Sequence, residues 1–213
     1  MIVNYEIQDY IRNLSKFEDE SLFQLEKYAR ENHVPIIEPE VARFIQMIIR
    51  LKKPARVLEL GTAIGYSSII MNKANRNSTI VTVEKDPKMV NLAKKNIKTF
   101  GLEDSITVVE SDALDYLTEN KDEFDFIFID AAKGQYLKYF KASEKLINKN
   151  GIILCDNVLF KGLVCDEEAL TTRHKKMTIV RRLNSFLKYI TNLEEFETSI
   201  IPIDDGVSIS YKI

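Results

Sequence analysis

Oxygen-bearing side chains follow two apolar segments in the second half of the chain, where they could share a metal ion. Asp130 follows residues 124–129, and Asp156 and Asn157 come shortly after residues 152–154. If these segments are neighbouring parallel strands, their backbones lie about 5 Å apart. Two carboxylates so close repel each other unless one is protonated or a cation lies between them. A ligand set made only of oxygens suits Mg²⁺, whereas the alternative, in which Asp156 and Asn157 merely begin a turn, leaves Asp130 unexplained.

Acidic residues also close the earlier apolar segments, where they are suited to bind a nucleoside. Gly61 and Gly65 follow residues 57–60 and let the backbone approach a ligand, although their spacing is not that of the dinucleotide fingerprint. Glu84 can accept both hydroxyl groups of a ribose, and Asp112 can accept the exocyclic amine of an adenine. Asp112 taken alone is better explained as the N-cap of a helix. The ordered set favours a nucleoside cofactor bound at the carboxyl ends of the strands.

Short apolar runs alternate with helical patterns from Arg56 onward, which predicts an α/β fold with a mostly parallel sheet. Residues 196–201 and 207–211 are separated by a link so short that it permits only an antiparallel hairpin. Seven strands therefore indicate a Rossmann-like core over residues 54–213. The five predicted parallel strands are residues 57–60, 80–83, 106–109, 124–129 and 152–154.

Helical periodicity dominates residues 1–53, which are predicted to be a helical extension of the same single domain. The two prolines of residues 34–39 indicate an extended connector. In the core, Asp86 and Pro87 predict the start of a helix that ends before Gly101, and another helix is predicted near residues 178–189. The residues expected on buried helical faces are Leu22, Leu25, Tyr28 and Ala29; Val41, Phe44, Ile45, Ile48 and Ile49; Met89, Leu92, Ala93 and Ile97; and Met177, Val180, Leu183 and Leu187.

Composition and charge exclude several classes of protein. Of the 213 residues, 45% are hydrophobic and 29% are charged, which is typical of a soluble globular protein. The formal net charge of −2 provides no overall attraction for nucleic acid or membrane, so a polyanion would need a local basic patch. No signal peptide is predicted, and no apolar run approaches the ~18 residues that span a bilayer. Cys155 and Cys165 suit a reducing compartment, which predicts a cytoplasmic protein, and their individual roles stay open.

These motifs together resemble those of a known family. The first strand contains an acid, Glu59, and is followed by the glycine pair and by the acids after the next two strands. This order is similar to the pattern of S-adenosylmethionine methyltransferases. With the segment 130–133 and the pair 156–157, the chain resembles the cation-dependent O-methyltransferases, which include catechol and caffeoyl-CoA O-methyltransferases. The resemblance runs from about Val34 to the C-terminus and includes the segment 204–207.

The resemblance implies a role for each motif residue. It implies S-adenosylmethionine and Mg²⁺ or Mn²⁺ as cofactors, with Asp130, Asp156 and Asn157 as metal ligands. It also implies that Lys133 is the general base and that Asp130 is catalytic beside it. The alternative for Lys133 is an exposed lysine at the start of a helix, since most lysines are exposed. The residues implied for the cofactor pocket are Ile37, Glu59, Gly61, Ser67, Glu84, Asp112, Ala113 and Asp130.

The substrate is predicted from a basic segment outside the core motifs. Residues 173–182 concentrate positive charge after the loop 158–164, and both segments, with residues 32–36, resemble a bacterial branch that methylates 5-hydroxyuridine at the tRNA wobble position. Cations there would meet phosphates of the anticodon region. The plainer alternative is the solvated face of an amphipathic helix. The residues predicted to contact tRNA are Lys161, Arg173, Lys175, Arg181 and Arg182.

Other functions remain open from the sequence. The second candidate is a methyltransferase of small catechol-type or phenolic substrates. A non-catalytic nucleotide-binding or RNA-binding module is disfavoured because binding alone requires neither a base nor a metal, and an NAD-dependent dehydrogenase is disfavoured by the glycine spacing. No membrane partner is expected. The apolar N-terminal helices favour a homodimer.

Overall fold

The computed structural model describes residues 4–171 and 175–213, apart from the side chains of residues 175 and 176, and contains one seven-stranded sheet. The strand order is β3-β2-β1-β4-β5-β7-β6. Strands β1 to β5 are parallel, whereas β7 runs antiparallel to both β5 and β6, so the predicted mixed sheet with a C-terminal hairpin is confirmed. The strands are β1 (Arg56–Leu60), β2 (Thr79–Glu84), β3 (Ile106–Glu110), β4 (Phe124–Ile129), β5 (Ile147–Cys155), β6 (Phe196–Ile201) and β7 (Val207–Lys212).

Helices cover both faces of the sheet, which explains why the central strands are nearly continuous apolar runs. In β4, five of the six residues are buried, and in β1 four of five are buried. Two hydrophobic clusters lie on opposite faces of the sheet. The helices are α1 (Tyr5–Ser15), α2 (Glu20–Glu31), α3 (Pro39–Lys52), α4 (Tyr66–Ala74), α5 (Pro87–Thr99), α6 (Ala113–Glu119), α7 (Tyr136–Ser143), α8 (Glu167–Thr171) and α9 (Lys175–Ile190).

The start of α5 is the one that its sequence predicts. Asp86 is the N-cap and its carboxylate accepts a hydrogen bond from the backbone N–H of Lys88 at 2.9 Å, while Pro87 begins the helix. The inward face differs slightly from the predicted one, because Val90 is buried with Ala93 and Ile97, whereas Met89 and Leu92 are only half-buried. The buried face of α5 is therefore rotated by a fraction of a turn from the predicted face.

The N-terminal helices pack on the same core as the sheet. Leu22 of α2 and Ile45 of α3 belong to a cluster that also contains Val57 of β1 and Phe126 of β4. The prediction that Tyr28 faces inward is wrong, because its side chain is 39% exposed. Phe44 and Ile48 are half-buried at the edge of the α3 stripe, and the rest of that stripe is buried as predicted.

Helix α9 buries one stripe and exposes a basic face. Val180, Leu183 and Leu187 are buried and Met177 is half-buried, as predicted. The helix begins at Lys175 and ends at Ile190, beyond the predicted bounds at both ends. Within residues 4–171 and 175–213, no helix combines the length and the apolar character that crossing a membrane requires.

The switch in strand order lies between β1 and β4. The chain runs outward through β1, β2 and β3 and then returns to place β4 on the other side of β1. The residues that follow β1 and β4, Gly61 and Asp130, therefore meet at one edge of the sheet. Gly61 has φ +98°, and a Cβ on it would lie 2.0 Å from the backbone oxygen of Asp130. Only glycine fits this crossing, which is where ligands bind in doubly wound sheets.

An ionisable group lies beneath this edge. Glu59 of β1 is fully buried, and its carboxylate accepts hydrogen bonds from the hydroxyl groups of Ser67, Ser68 and Thr82. Burial raises the pKa of Glu59 from 4.5 to about 7, against the opposing effect of the three hydroxyl donors. Between these two pH values the folded state holds a proton that the unfolded state releases, so the free energy of unfolding falls as the pH rises.

We expect the variant Glu59→Gln to lose this pH dependence. Relative to the unmodified chain, its free energy of unfolding should increase by about 3 kcal/mol between pH 4 and pH 8, because the buried glutamine never ionises. Urea unfolding of both proteins at a series of pH values measures this difference. Altered hydrogen bonding to the three hydroxyl groups adds a constant offset, so a difference that stays flat across this range would contradict the ionisation of Glu59.

Candidate active site

A cavity of about 430 Å³ opens at the carboxyl ends of the central strands. Its volume is within the range of small-molecule and cofactor pockets. The structure brings most of the predicted cofactor, metal and catalytic residues into its lining, although the sequence placed them on five different strand ends. The predicted residues in the lining are Gly61, Glu84, Asp112, Ala113, Asp130, Lys133 and Asn157.

Glu84 is fixed by the backbone around it. One carboxylate oxygen accepts the N–H of Ala63 at 3.0 Å, and the other accepts the N–H groups of Lys85 and Asp86, both at 2.9 Å. These bonds tie the end of β2 to the turn after β1. Because a carboxylate offers about four acceptor positions, Glu84 retains capacity for a ligand hydroxyl in the cavity.

Asp112 is indeed a helix N-cap, as the plainer interpretation holds. Its carboxylate accepts the N–H of Leu114 at 2.8 Å at the start of α6, and it still lines the cavity beside Ala113. Sequence reasoning missed Tyr139, which lines the same wall and whose pKa is raised by burial and by the charge of Asp112. At helical spacing with Tyr136 and Phe140, Tyr139 is indistinguishable from an ordinary core residue.

Three of the predicted cofactor residues do not line this cavity. Glu59 and Ser67 bond to each other below its floor, where their polar atoms are already used. Ile37 is 4% exposed and lines a smaller cavity beside the connector 34–38. Pro35 of the same connector lines both cavities. Contact of Glu59, Ser67 and Ile37 with a cofactor remains a prediction.

Asp130 and Asp156 follow adjacent strands. Ile129 pairs with Cys155 in the β4–β5 ladder, so the two acids are opposite each other one residue further on. Asp130 lines the cavity, whereas Asp156 is 2% exposed and lies just behind the lining. Burial raises the pKa of Asp130 to about 6 against the effect of Lys133. Burial and the charge of Asp130 raise the pKa of Asp156 well above its ordinary value.

The chemistry of this pair fits a divalent cation. Burial disfavours the ionisation of both acids and the charge of Asp130 further disfavours that of Asp156, so a cation between them would stabilise their charged forms. In the described part of the chain no three His, Cys, Asp or Glu side chains group for metal binding, so the third protein ligand would be the amide oxygen of Asn157. Asn157 lines the cavity in a left-handed conformation with φ +52°, and the carboxylate of the preceding residue, Asp156, accepts its N–H at 2.7 Å.

Lys133 lies between the cavity and the C-terminal hairpin. Its Nζ is 3.8 Å from a carboxylate oxygen of Asp205 and 5.9 Å from the ring centroid of Phe160. It lines the same cavity as Asp130 and Asn157. The arrangement therefore holds an amine beside two candidate metal ligands, within a pocket that has room for a nucleoside.

Comparison with known proteins assigns this arrangement to a family. The model of the O-methyltransferase family matches residues 12–213, nearly the whole chain. The chain belongs to the O-methyltransferase family. A catechol O-methyltransferase from Niastella koreensis is 35% identical over 96% of this chain and 95% of its own length. A caffeoyl-CoA O-methyltransferase from Populus kitakamiensis is 31% identical over 84% of this chain and 78% of its own.

A solved structure supports the same conclusion. An O-methyltransferase from Bacillus cereus, crystallised in complex with SAH, is 26% identical, covers 100% of both chains and has a TM-score of 0.86. The chain is thus an S-adenosylmethionine-dependent O-methyltransferase with the Rossmann-like fold of its relatives. The family assignment favours methyl transfer over the dehydrogenase alternative.

In this methyltransferase the turn 204–206 supports the loop after Asn157. Backbone N–H groups of Val158 and Leu159 donate to the carbonyls of Gly206 and Asp205, both at 2.9 Å, and the N–H of Lys161 donates to the Asp205 carboxylate. Asp205 therefore contacts both that loop and the Lys133 amine. Sequence reasoning noted this segment only as part of the resemblance, because a turn between hairpin strands gives no local sign of a distant contact.

Helix α1 of the methyltransferase reaches the same turn. Gln8 donates to the Asp204 carboxylate at 2.8 Å, and the Arg12 guanidinium is 3.3 Å from that carboxylate. Arg12 also pairs with Glu38 at 3.1 Å and with Glu40 at 3.0 Å. Contacts between residues almost 200 positions apart thus join the N-terminal helix, the connector and the turn beside Lys133.

The basic residues predicted to contact tRNA are only partly described. Arg173 and the side chain of Lys175 lie outside the described residues. Arg181 and Arg182 line a second cavity beside the turn 133–135, and Lys161 is exposed on the loop after Asn157. Cys155 is buried in β5 with its pKa raised to about 12 by burial, and Cys165 is exposed.

Proposed function

We propose that this methyltransferase uses a divalent cation, Mg²⁺ or Mn²⁺, to methylate one of two adjacent oxygens on its acceptor. The observation that carries the proposal is the presence of Asp130, Asn157 and Lys133 in the lining of the cavity that also contains Glu84 and Asp112. Asp130, Asp156 and Asn157 would hold the cation. Its chemistry at this site is the polarisation of a hydroxyl and a neighbouring oxygen, so that the hydroxyl loses its proton more readily.

The residues of the chain would then carry the transfer. Lys133 would accept the hydroxyl proton at Nζ. S-adenosylmethionine, when bound, would supply a sulfonium methyl group to the acceptor oxygen, and the electron pair of the broken carbon–sulfur bond would remain on the sulfur of S-adenosylhomocysteine. Glu84 would hold the ribose hydroxyls and Asp112 the adenine amine, so that the fixed position of the donor supplies a large part of the rate.

The acceptor that we propose is 5-hydroxyuridine at the wobble position of tRNA, which would become 5-methoxyuridine. Its base carries a hydroxyl beside a carbonyl oxygen, a pair that can chelate a cation as a catechol does. In support, Arg182 of α9 donates to the carbonyl of Gly134, the residue after Lys133, at 3.3 Å. Cations so close to the candidate base are suited to phosphates of the anticodon region. Activity on tRNA would place the enzyme in the cytoplasm.

A small catechol-type or phenolic acceptor is the second candidate. The relative from Niastella koreensis is named a catechol O-methyltransferase, and its similarity extends over 96% of this chain. The proposed cation site serves a catechol equally well, because both acceptors present two adjacent oxygens. The candidates differ only in what surrounds the reacting ring.

Methyl transfer from labelled S-adenosylmethionine decides between these acceptors. Unmodified chain is incubated with Mg²⁺ and either tRNA that carries 5-hydroxyuridine or a panel of catechols, and the product nucleoside is identified by mass spectrometry. Conversion of the tRNA to 5-methoxyuridine, with the same tRNA lacking the hydroxyl as a control, is the expected result. Efficient methylation of a catechol with no binding or modification of the tRNA would assign the chain to small phenolic substrates.

We also propose that two copies of the chain form a homodimer through α1. This helix exposes large apolar side chains on one side, where Ile7, Tyr10 and Leu14 are 53%, 66% and 68% exposed, and apolar patches of this kind mark interaction surfaces. Sedimentation should show a dimer that Leu14→Glu converts to monomer. The same change at Lys16, just after the helix, is the control, and a chain that is monomeric without any substitution rules the dimer out.

A further inference from the structure

A second cavity lies next to the candidate active site. It has a volume of about 360 Å³ and opens between the turn 133–135, α7 and α9. Lys138, Arg181 and Arg182 contribute positive charges to its lining, and Thr178 and Ser185 contribute hydroxyl groups. We call this cavity the α7–α9 cleft.

The charge of the cleft is unlike that of the whole chain. The chain has 32 acidic and 30 basic residues, yet the lining of the cleft, among the residues that the structure describes, contains three cations and no acid. A cavity lined by charges of one sign attracts ligands of the opposite sign, here an anion. Guanidinium, ammonium and hydroxyl groups are also the donors that bind phosphate oxygens best.

Local contacts hold part of this set in place. The Arg182 guanidinium donates to the Gly134 carbonyl at 3.3 Å, and a Cβ on Gly134 would lie 3.4 Å from the same nitrogen. Arg181 donates to the Thr178 hydroxyl at 3.1 Å, one turn earlier in α9. Since a guanidinium has five N–H donors, the bond to Gly134 orients Arg182 and leaves it donors for an anion.

The cleft is within reach of the reacting group. Lys133 lines the first cavity, and the next two residues, Gly134 and Gln135, line the cleft. Consecutive Cα atoms are about 3.8 Å apart, so the segment 133–135 borders both spaces. A substrate whose hydroxyl lies beside Lys133 can therefore place a second group in the cleft.

We propose that the α7–α9 cleft is a phosphate-binding subsite for the molecule whose hydroxyl is methylated. The proposal rests on the proposed function, in which the ligand is a phosphodiester next to the modified nucleotide. The same groups would donate hydrogen bonds to the phosphate of a small coenzyme A thioester, so the chemistry is shared by two sources. A free catechol has no phosphate and gains nothing from the cleft.

The test compares a matched control with variants that remove a positive charge from the cleft or add a negative charge to it. Arg181→Gln and Lys138→Gln remove a charge, and Ser185→Glu adds a negative one. Lys188→Gln is the control, because Lys188 is an exposed lysine on the same helix outside the cleft. Thermal unfolding of each variant checks that it folds.

For RNA that carries 5-hydroxyuridine, we expect the cleft variants to lower the ratio of kcat/KM on RNA to kcat/KM on catechol by about tenfold, as the loss of one charged hydrogen bond would. The log–log dependence of RNA affinity on salt should also become shallower by about 0.7 for each removed contact. Lys188→Gln should change neither quantity. Equal effects from Lys188→Gln and the cleft variants would overturn the subsite, and no effect of the cleft variants on RNA would exclude RNA as the source of its phosphate.

Two further measurements complete the test. One distinguishes the two sources of the phosphate, and the other distinguishes a failure of the subsite from a failure of the proposed function. A selective loss on a coenzyme A thioester of a catechol-type acid, with none on RNA, assigns the phosphate to small conjugates. Calorimetry with inorganic pyrophosphate tests the cleft without turnover. If unmodified chain fails to methylate tRNA but binds pyrophosphate more tightly than the cleft variants do, the tRNA proposal fails and the subsite stands. Equal pyrophosphate binding by all variants refutes the subsite whatever the substrate.

Discussion

Replacing Asp156 with alanine is expected to lower kcat for methyl transfer by at least about 100-fold, the effect of disturbing a metal site, and to leave the affinity for S-adenosylhomocysteine unchanged. Asp156 is buried behind the cavity lining and faces Asp130, far from Glu84 in the sheet order. Excess chelator should imitate the substitution, and added Mg²⁺ or Mn²⁺ should restore only the unmodified chain. Calorimetry for the cofactor product and turnover on the identified acceptor are the measurements.

The same variant should fold normally. Removal of Asp156 eliminates a buried carboxylate that repels Asp130, while the bond from the Tyr136 hydroxyl to the Asp156 carbonyl at 2.9 Å remains. The free energy of unfolding without metal should therefore fall by no more than about 1 kcal/mol, the share of the bond from the Asn157 N–H.

The opposite pattern is expected for Glu84→Ala, which supplies the control. Its affinity for S-adenosylhomocysteine should weaken by about 1–3 kcal/mol through lost charged hydrogen bonds. The dependence of its turnover on added Mg²⁺ or Mn²⁺ should be unchanged. The metal assignment would be refuted if Asp156→Ala were fully active, or if the unmodified chain were fully active in excess chelator.

The order of the elements was predictable because the signal for each strand lies in residues that are adjacent in the sequence. Apart from Glu59 and Asp125, residues 57–60 and 124–129 are apolar on both faces, and this pattern predicts central parallel strands wherever helices alternate with them. The carboxyl ends of parallel strands share an edge, so Asp130 and Asp156 were predicted to be opposite each other. The helix caps at Asp86 and Asp112 were equally local signals.

The direction of side chains near those ends was not predictable. Glu59 is two residues before Gly61, yet it points beneath the cavity because Ser67 and Ser68 of α4 and Thr82 of β2 converge on it. The sequence shows which residue is acidic but not which face receives hydroxyl partners from other elements. The arrangement around Asp205 has the same cause, since its partners are 44 and 72 residues away in the chain.

Replacing Gly61 with alanine is expected to cause the largest loss of stability of any single change at this edge. The added Cβ would lie 2.0 Å from the backbone oxygen of Asp130 and 2.8 Å from its carbonyl carbon, which are backbone atoms. Neither partner can move away easily, because the N–H of Gly61 donates to Val83 and that of Asp130 donates to Leu60, both at 2.9 Å. Strands β1, β2 and β4 would have to separate to relieve the clash.

We expect Gly61→Ala to lower the free energy of unfolding by roughly 2–5 kcal/mol, the sum of a left-handed backbone penalty and overpacking, and to abolish measurable binding of S-adenosylhomocysteine. Gly101→Ala is the matched control, since Gly101 also has a positive φ, +64°, but a Cβ added to it would meet no atom of the described residues within 4 Å. It should therefore lose only about 1–2 kcal/mol, the backbone penalty alone, and keep its affinity for the cofactor product. Urea unfolding and calorimetry on both variants measure these effects. An equal loss in the two variants would show that the approach of Gly61 to Asp130 contributes nothing, and that the edge between β1 and β4 tolerates a side chain where the cofactor is proposed to bind.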